Sequence, residues 1–224
     1  MSDFIQNCFL FQNLNTAEAK RLMDILVLRE FRPKEFILRA GGENNYMFII
    51  LEGVIKIDTH ANSRRQTLSF LKEGDVFGEI TMFTDSMVSA NVVSVVKSKI
   101  YTLHRDNLYT LVKEIPQLAL NIIAYLANRV KGADRVIYDY AFKMLEARVS
   151  SKILSLMKMF KGEEDNKKFI NLPVTHQDLA DFVGTSRETI TKILTKFKDH
   201  KLIDVQTKKI IILDEKGLAE WDHE

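Results

Sequence analysis

The chain has 224 residues, 46% hydrophobic and 28% charged, with a formal net charge of +2; this ordinary globular balance excludes a disordered chain and leaves room for one large core or two modest ones. With charge so near neutral, any nucleic-acid role has to come from local clustering of basic residues. The single cysteine, Cys8, excludes an internal disulfide framework and a four-cysteine zinc or iron–sulfur site, and the absence of a long apolar run or a leader points to a cytoplasmic protein with no membrane partner.

Near the N-terminus, Thr16–Leu28 has the apolar spacing of a short amphipathic helix, with Ala19, Leu22, Met23, Leu26 and Val27 on one face. Five short strands are predicted between about 30 and 104: Met47–Ile50, Val54–Ile57, Thr67–Leu71, Asn91–Val96 and Lys99–Leu103. Gly41, Gly42, Gly53, Gly74 and Gly78 punctuate them, the pattern of a small barrel or roll.

A long helix follows. Pro116 suits a first helical turn and nothing interrupts the pattern before about Tyr140, a span of about 37 Å at 1.5 Å per residue. Ala119, Ile123, Leu126, Val130, Ala133, Ile137 and Tyr140 fall at alternating intervals of four and three, which puts one apolar seam on a helix that pairs with a copy of itself. Leu118, Ile122 and Val136 supply a second apolar face for packing on the preceding domain. Gly132, inside the helix, costs roughly 1 kcal/mol relative to alanine. The expected organisation is a sensor domain over 1–115, a dimerisation helix over 116–140 and a third domain over 141–224.

The third domain is expected to hold a helix over Phe142–Phe160, a polar surface loop over Lys161–Lys168, two helices over Thr175–Phe182 and Ser186–His200, and a hairpin of Leu202–Gln206 with Lys209–Leu213. Gly184, between the two short helices, permits the sharp turn that two helices crossing near a right angle require. Thr175 with Asp178 forms a candidate capping box, and Thr185 with Glu188 a second.

The exposed face of the later helix carries the functional reading. Arg187, Glu188, Thr191 and Lys192 lie on its N-terminal turns, where a recognition helix meets base edges. Arginine can grip guanine O6 and N7 with two hydrogen bonds, and glutamate can accept from cytosine N4. Arg187, Lys192, Lys196, Lys198, Lys201, Lys208 and Lys209 outnumber Glu188, Asp199 and Asp204 over 185–209, a footprint of phosphate contact, with Lys208 at the tip of the hairpin. The competing reading is a helical interaction domain with an ordinary solvated face.

The chain resembles the CRP/FNR (cyclic-AMP receptor protein/fumarate-nitrate regulator) family along nearly its full length, through LEGVIKI at 51–57, GDVFGEITMF at 74–83, AF at 141–142 and VGTSRETITKIL at 183–194. The resemblance implies an α+β fold made of an N-terminal double-stranded β-roll, a long dimerisation helix and a C-terminal winged helix-turn-helix. It implies a homodimeric regulator that binds palindromic double-stranded DNA and acts on RNA polymerase. Arg187 and Glu188 look like the pair that reads a TGTGA-type half-site; Lys192 stands where such members commonly carry a second arginine, and lysine lacks the bidentate fork. Thr175, His176, Gln177, Thr185 and Ser186 look like phosphate contacts.

The same resemblance puts an effector segment at Gly78, Glu79, Val88, Ser89 and Ala90. Gly78, Glu79 and Ser89 match the cyclic-AMP-binding members, but Val88 (or Met87) occupies the position of the arginine that meets the cyclic phosphate, and Ala133 and Asp134 replace the adenine-contacting hydroxyls of the long helix. The expectation is an effector other than cyclic AMP, of unknown identity. Haem remains a candidate, with His60, His104, Cys8 or a methionine as axial ligand. Catalysis is not expected: the isolated histidines do not make the cluster a cupin-like metalloenzyme needs, and no nucleophile–base pair or phosphate loop is present.

Overall fold

The computed structural model describes residues 4, 8–61, 64–84, 86–164, 167–171, 175–206 and 209–221. They form two compact units that divide within the long helix, after Gly132.

In the first unit, Asn15 caps helix α1 (Thr16–Met23) with a capping box to Glu18. The helix stops at Met23, five residues short of the expected Leu28, and Val27–Phe31 is strand β1 instead. Leu26 and Val27 fit either period; the antiparallel ladder to strand β8 (Ser98–His104) decides the matter, with Val27 opposite Thr102 and Phe31 opposite Ser98. The remaining strands are β2 (Phe36–Leu38), β3 (Tyr46–Glu52), β4 (Ile55–Ala61), β5 (Arg64–Leu71), β6 (Val76–Phe77) and β7 (Asn91–Ser94), with a single helical turn, α2 (Ile80–Phe83), between the last two. They build two four-stranded sheets, β1-β8-β3-β6 and β2-β7-β4-β5. The five expected strands are present, longer or shorter by a few residues, and β1, β2 and β6 join them.

Strand β3 shows why the two sheets close into a roll. Met47, Phe48, Ile49 and Ile50 are all buried. Phe48 and Ile50 face one cluster with Ile55, Phe77, Val92 and Ile100, while Met47 and Ile49 face another with Leu108, Leu111, Leu118 and Ile122. A strand with apolar neighbours on both faces needs a continuous apolar run. The second cluster is supplied by α3 (Arg105–Glu114), which the expected elements lacked, and by the start of α4, the long helix Pro116–Phe142. Buried Asn121 of α4 donates to the carbonyls of Leu10 and Gln12 at 3.0 and 2.8 Å, pinning the N-terminal segment. Cys8 packs there, fully buried, and burial pushes its thiol up to about 12.

In the second unit, helix α5 (Leu145–Met159) starts after a break at Lys143–Met144, so the expected helix from Phe142 begins three residues late. The expected polar loop over 161–168 is a hairpin, β9 (Lys161–Glu164) with β10 (Lys167–Ile170). Its local sequence is polar, but Lys168 and Phe169 pair with Ile212 and Ile211 of strand β12 (Lys209–Ile212), and Ile170 is buried. With β11 (Ile203–Gln206) the sheet order is β11-β12-β10-β9. Helices α6 (His176–Val183), α7 (Arg187–Asp199) and α8 (Glu215–Ala219) complete the unit.

Candidate nucleic-acid interface

Helix α6 begins at Thr175, whose hydroxyl accepts from the Asp178 amide while Asp178 reaches back to the Thr175 amide, as the sequence predicts. It ends at Gly184, at φ +81°, a left-handed conformation that favours glycine. The amides of Gly184 and Thr185 both donate to the Ala180 carbonyl, at 2.8 and 3.0 Å, and close the turn. The expected second capping box does not form: Ser186, not Thr185, caps α7, and it does so alone, its hydroxyl accepting from the Thr189 amide at 3.1 Å. Thr185 still serves the turn, so the cap falls to the next hydroxyl.

Leu179, Ala180 and Val183 of α6 are buried, as are Ile190, Ile193, Leu194 and Phe197 of α7. That burial leaves Arg187, Glu188, Thr191 and Lys192 exposed together on the first turns of α7, at the positive end of the helix dipole. Glu188 leans back on that end: its own amide and the Ser186 hydroxyl hold its carboxyl below the usual range, so the acceptor is ionised. His176 Nδ1 and the Thr191 hydroxyl lie 2.9 Å apart, bracing α6 against α7. Thr175 spends its hydroxyl on the cap, Gln177 donates to Asp181 at 2.7 Å, and Ser186 is shared between Thr189 groups. Lys208 lies outside the described residues.

The basic surplus is smaller than composition implies. Lys196 pairs with Glu146 at 2.9 Å and Lys198 with Asp204 at 3.1 Å. Arg187, Lys192 and Lys201 are exposed and form no salt bridge among the described residues.

In the first unit, Gly78 sits at φ +80°, and a Cβ there would come within 2.7 Å of the Tyr46 carbonyl, so no other residue fits. Glu79 is buried and forms an ion pair with Arg129 of α4, a partner the sequence reading missed because 50 residues separate them. Its second oxygen has no hydrogen-bond partner among the described residues, and burial outweighs Arg129 in raising its pKa. Val88 is buried with Ala90, and its backbone exchanges hydrogen bonds with Gly41 and Gly42 at 2.8 and 2.9 Å; Ser89 between them is exposed. A buried valine offers a phosphate no charge. The haem-ligand candidates have other uses. His104 caps α3, accepting from the Asp106 amide; His60 pairs with Asp58 at 3.4 Å; Cys8 is sealed in the core. Among the described residues no three His, Cys, Asp or Glu side chains gather as a metal site.

Two family models match the chain: the cyclic nucleotide-binding domain over residues 28–114 and the Crp-like helix-turn-helix domain over 147–221. A cyclic nucleotide-binding-type β-roll followed by a Crp-like helix-turn-helix defines a helix-turn-helix transcription regulator. The chain is 24% identical to the CRP-like cAMP-activated global transcriptional regulator of Mycobacterium tuberculosis, over 98% of each chain. It is 22% identical to the global nitrogen regulator of Synechococcus elongatus, over 87% of this chain and 89% of that one. Among solved structures, a CRP/FNR-family transcriptional regulator of Thermus thermophilus matches with a TM-score of 0.76 at 25% identity, over 88% of this chain and 100% of that one. The chain belongs to the CRP/FNR family of transcription regulators.

Proposed function

We propose that the chain works as a homodimer, reads a palindromic TGTGA-type site through Arg187 and Glu188, and answers to an effector other than cyclic AMP, or to none. The observation that carries the reading is the first turn of α7, where an arginine and an ionised glutamate stand exposed side by side beyond the Ser186 cap. Arginine to guanine and glutamate to cytosine is the pairing such a turn can make in the major groove. Lys192 extends the contact as a point charge, and Thr185, Ser186, His176 and Gln177 border it as candidate phosphate contacts, with Thr175 buttressing through its cap.

The homodimer rests on the seam of α4. Ile123, Val130 and Ile137 are 60%, 61% and 66% exposed in the single chain, which is costly for large aliphatic side chains unless another surface covers them. Ala133 continues the same exposed stripe, whereas Leu126 is half-buried and packs against the core of the first unit. Pairing over residues 116–140 would present two recognition helices to successive major grooves, about 34 Å apart. RNA polymerase is the further partner this reading expects. Nothing in the family assignment calls for catalysis.

Gel shift against a TGTGA-type palindrome tests the DNA reading. Arg187→Ala should lower affinity for that duplex by about 1–3 kcal/mol or more and leave the dimer intact by analytical ultracentrifugation. Equal binding of variant and wild type would remove Arg187 from the readout. Titration with cyclic AMP, followed calorimetrically, should give no saturable heat.

A further inference from the structure

We propose that Trp221 and Glu146 are positioning residues for the recognition helix, forming a latch that sets how sharply the protein discriminates between DNA sequences. This rests on the DNA-reading role of α7.

Three side chains from the far end of α7 meet the latch. The Trp221 ring lies edge-on to Phe197 and to His200, each at 5.1 Å between centroids, and the Lys196 ammonium stands 5.3 Å from the same ring. The indole N–H donates to Glu146 Oε2 at 3.0 Å, and Lys196 Nζ donates to that same oxygen at 2.9 Å. Glu146 therefore joins α5, α7 and the segment after α8 at one half-buried carboxylate. It sits in the first turn of α5, a helix whose N-cap, Met144, offers no side-chain cap, so the carboxylate also answers the helix dipole. Trp221 is itself seated: its amide donates to the Leu218 carbonyl, which accepts from buried Ser150 of α5.

Distance makes the latch consequential. Lys196 is nine residues from Arg187, about 13 Å along the helix axis. A tilt of about 10° at the latch would carry the arginine by about 2 Å, enough to break a bidentate hydrogen bond to a base. Phosphate contacts, being less directional and served by long side chains, tolerate such a shift better. The signature is a loss of discrimination with nonspecific affinity retained.

The experiment uses the full chain, the duplex that wild type selects from a randomised pool, and an unrelated duplex of equal length at the same salt. Glu146→Ala and Trp221→Ala should lower the specific-to-nonspecific affinity ratio about tenfold or more, with nonspecific affinity retained in Trp221→Ala and retained or raised in Glu146→Ala, where Lys196 is freed. Trp221→Phe keeps an edge-on ring, loses the indole donor, and should fall between; it also carries the test if the alanine variants fail to fold. Trp221 is the only tryptophan, so in Glu146→Ala without DNA its emission should move to the red and become more open to acrylamide quenching. An unchanged ratio in folded variants overturns the latch and leaves the regulator reading intact. Equal falls in both affinities would reduce it to support of the fold. Selection of no site by wild type would sink the regulator reading and the latch with it.

Discussion

Glu79, buried beside an arginine, and Arg187, exposed at the start of α7, differ in how much the sequence says about them. Arg187 is legible locally: an apolar face at 190, 193, 194 and 197 fixes the opposite face as solvent-exposed, and a hydroxyl just upstream fixes where the helix starts. Glu79 is not, because its environment comes from Arg129, 50 residues on. Burial raises its pKa above the ordinary 4.5 despite that arginine, and the sign has a consequence. A carboxyl that binds its proton more tightly in the folded state adds stability at low pH, and that contribution is lost as pH rises from the unfolded value through the folded one. Asp75, also raised by burial, acts in the same direction. Glu79→Gln should therefore flatten the dependence of melting temperature on pH above the ordinary value of 4.5; an unaltered profile would mean that Arg129 keeps Glu79 ionised throughout.

The informative element is α4. Its 27 residues carry two apolar faces. One, with Leu118 and Ile122, is buried on the β-roll side, and the other, with Ile123, Val130 and Ile137, is open. Those two sets separate because residues three or four apart share a face and adjacent ones do not. Val130→Asp should leave the single chain folded, since the side chain is 61% exposed, and turn the sedimenting species from dimer to monomer. A dimer that persists would move the pairing surface elsewhere. Gly132 has no heavy atom within 4 Å of an added Cβ, so packing within one chain does not demand glycine there. Strand β1 and the hairpin β9–β10 are each held by a distant partner strand, and neither carries enough periodicity of its own to reveal it.

For the whole molecule, net charge decides little: at +2 it gives no general attraction to DNA, so affinity must come from the recognition surface. Lys196 and Lys198 are committed to Glu146 and Asp204. Arg187, Lys192 and Lys201, contributed twice by a homodimer, would neutralise up to six phosphates or base acceptors, giving a slope of log affinity on log salt of about −5. Measuring that slope by fluorescence anisotropy checks the surface as a unit. A slope near zero would be incompatible with phosphate contact by these side chains.

The amino-acid sequence by itself determined the class of this protein: the order of strands, long helix and helix-turn-helix, the identity of the outward residues of α7 and the apolar seam of α4 all follow from spacing and capping within a few turns of chain. Only the tertiary structure decided what each polar group meets: that Glu79 faces Arg129, that Ser186 rather than Thr185 caps α7, that a polar stretch pairs as a hairpin, and that Trp221 and Lys196 of α7 meet at Glu146. Periodicity reports which face of an element is buried. It does not report which distant group will be waiting there, because that partner is chosen by the packing of the whole domain.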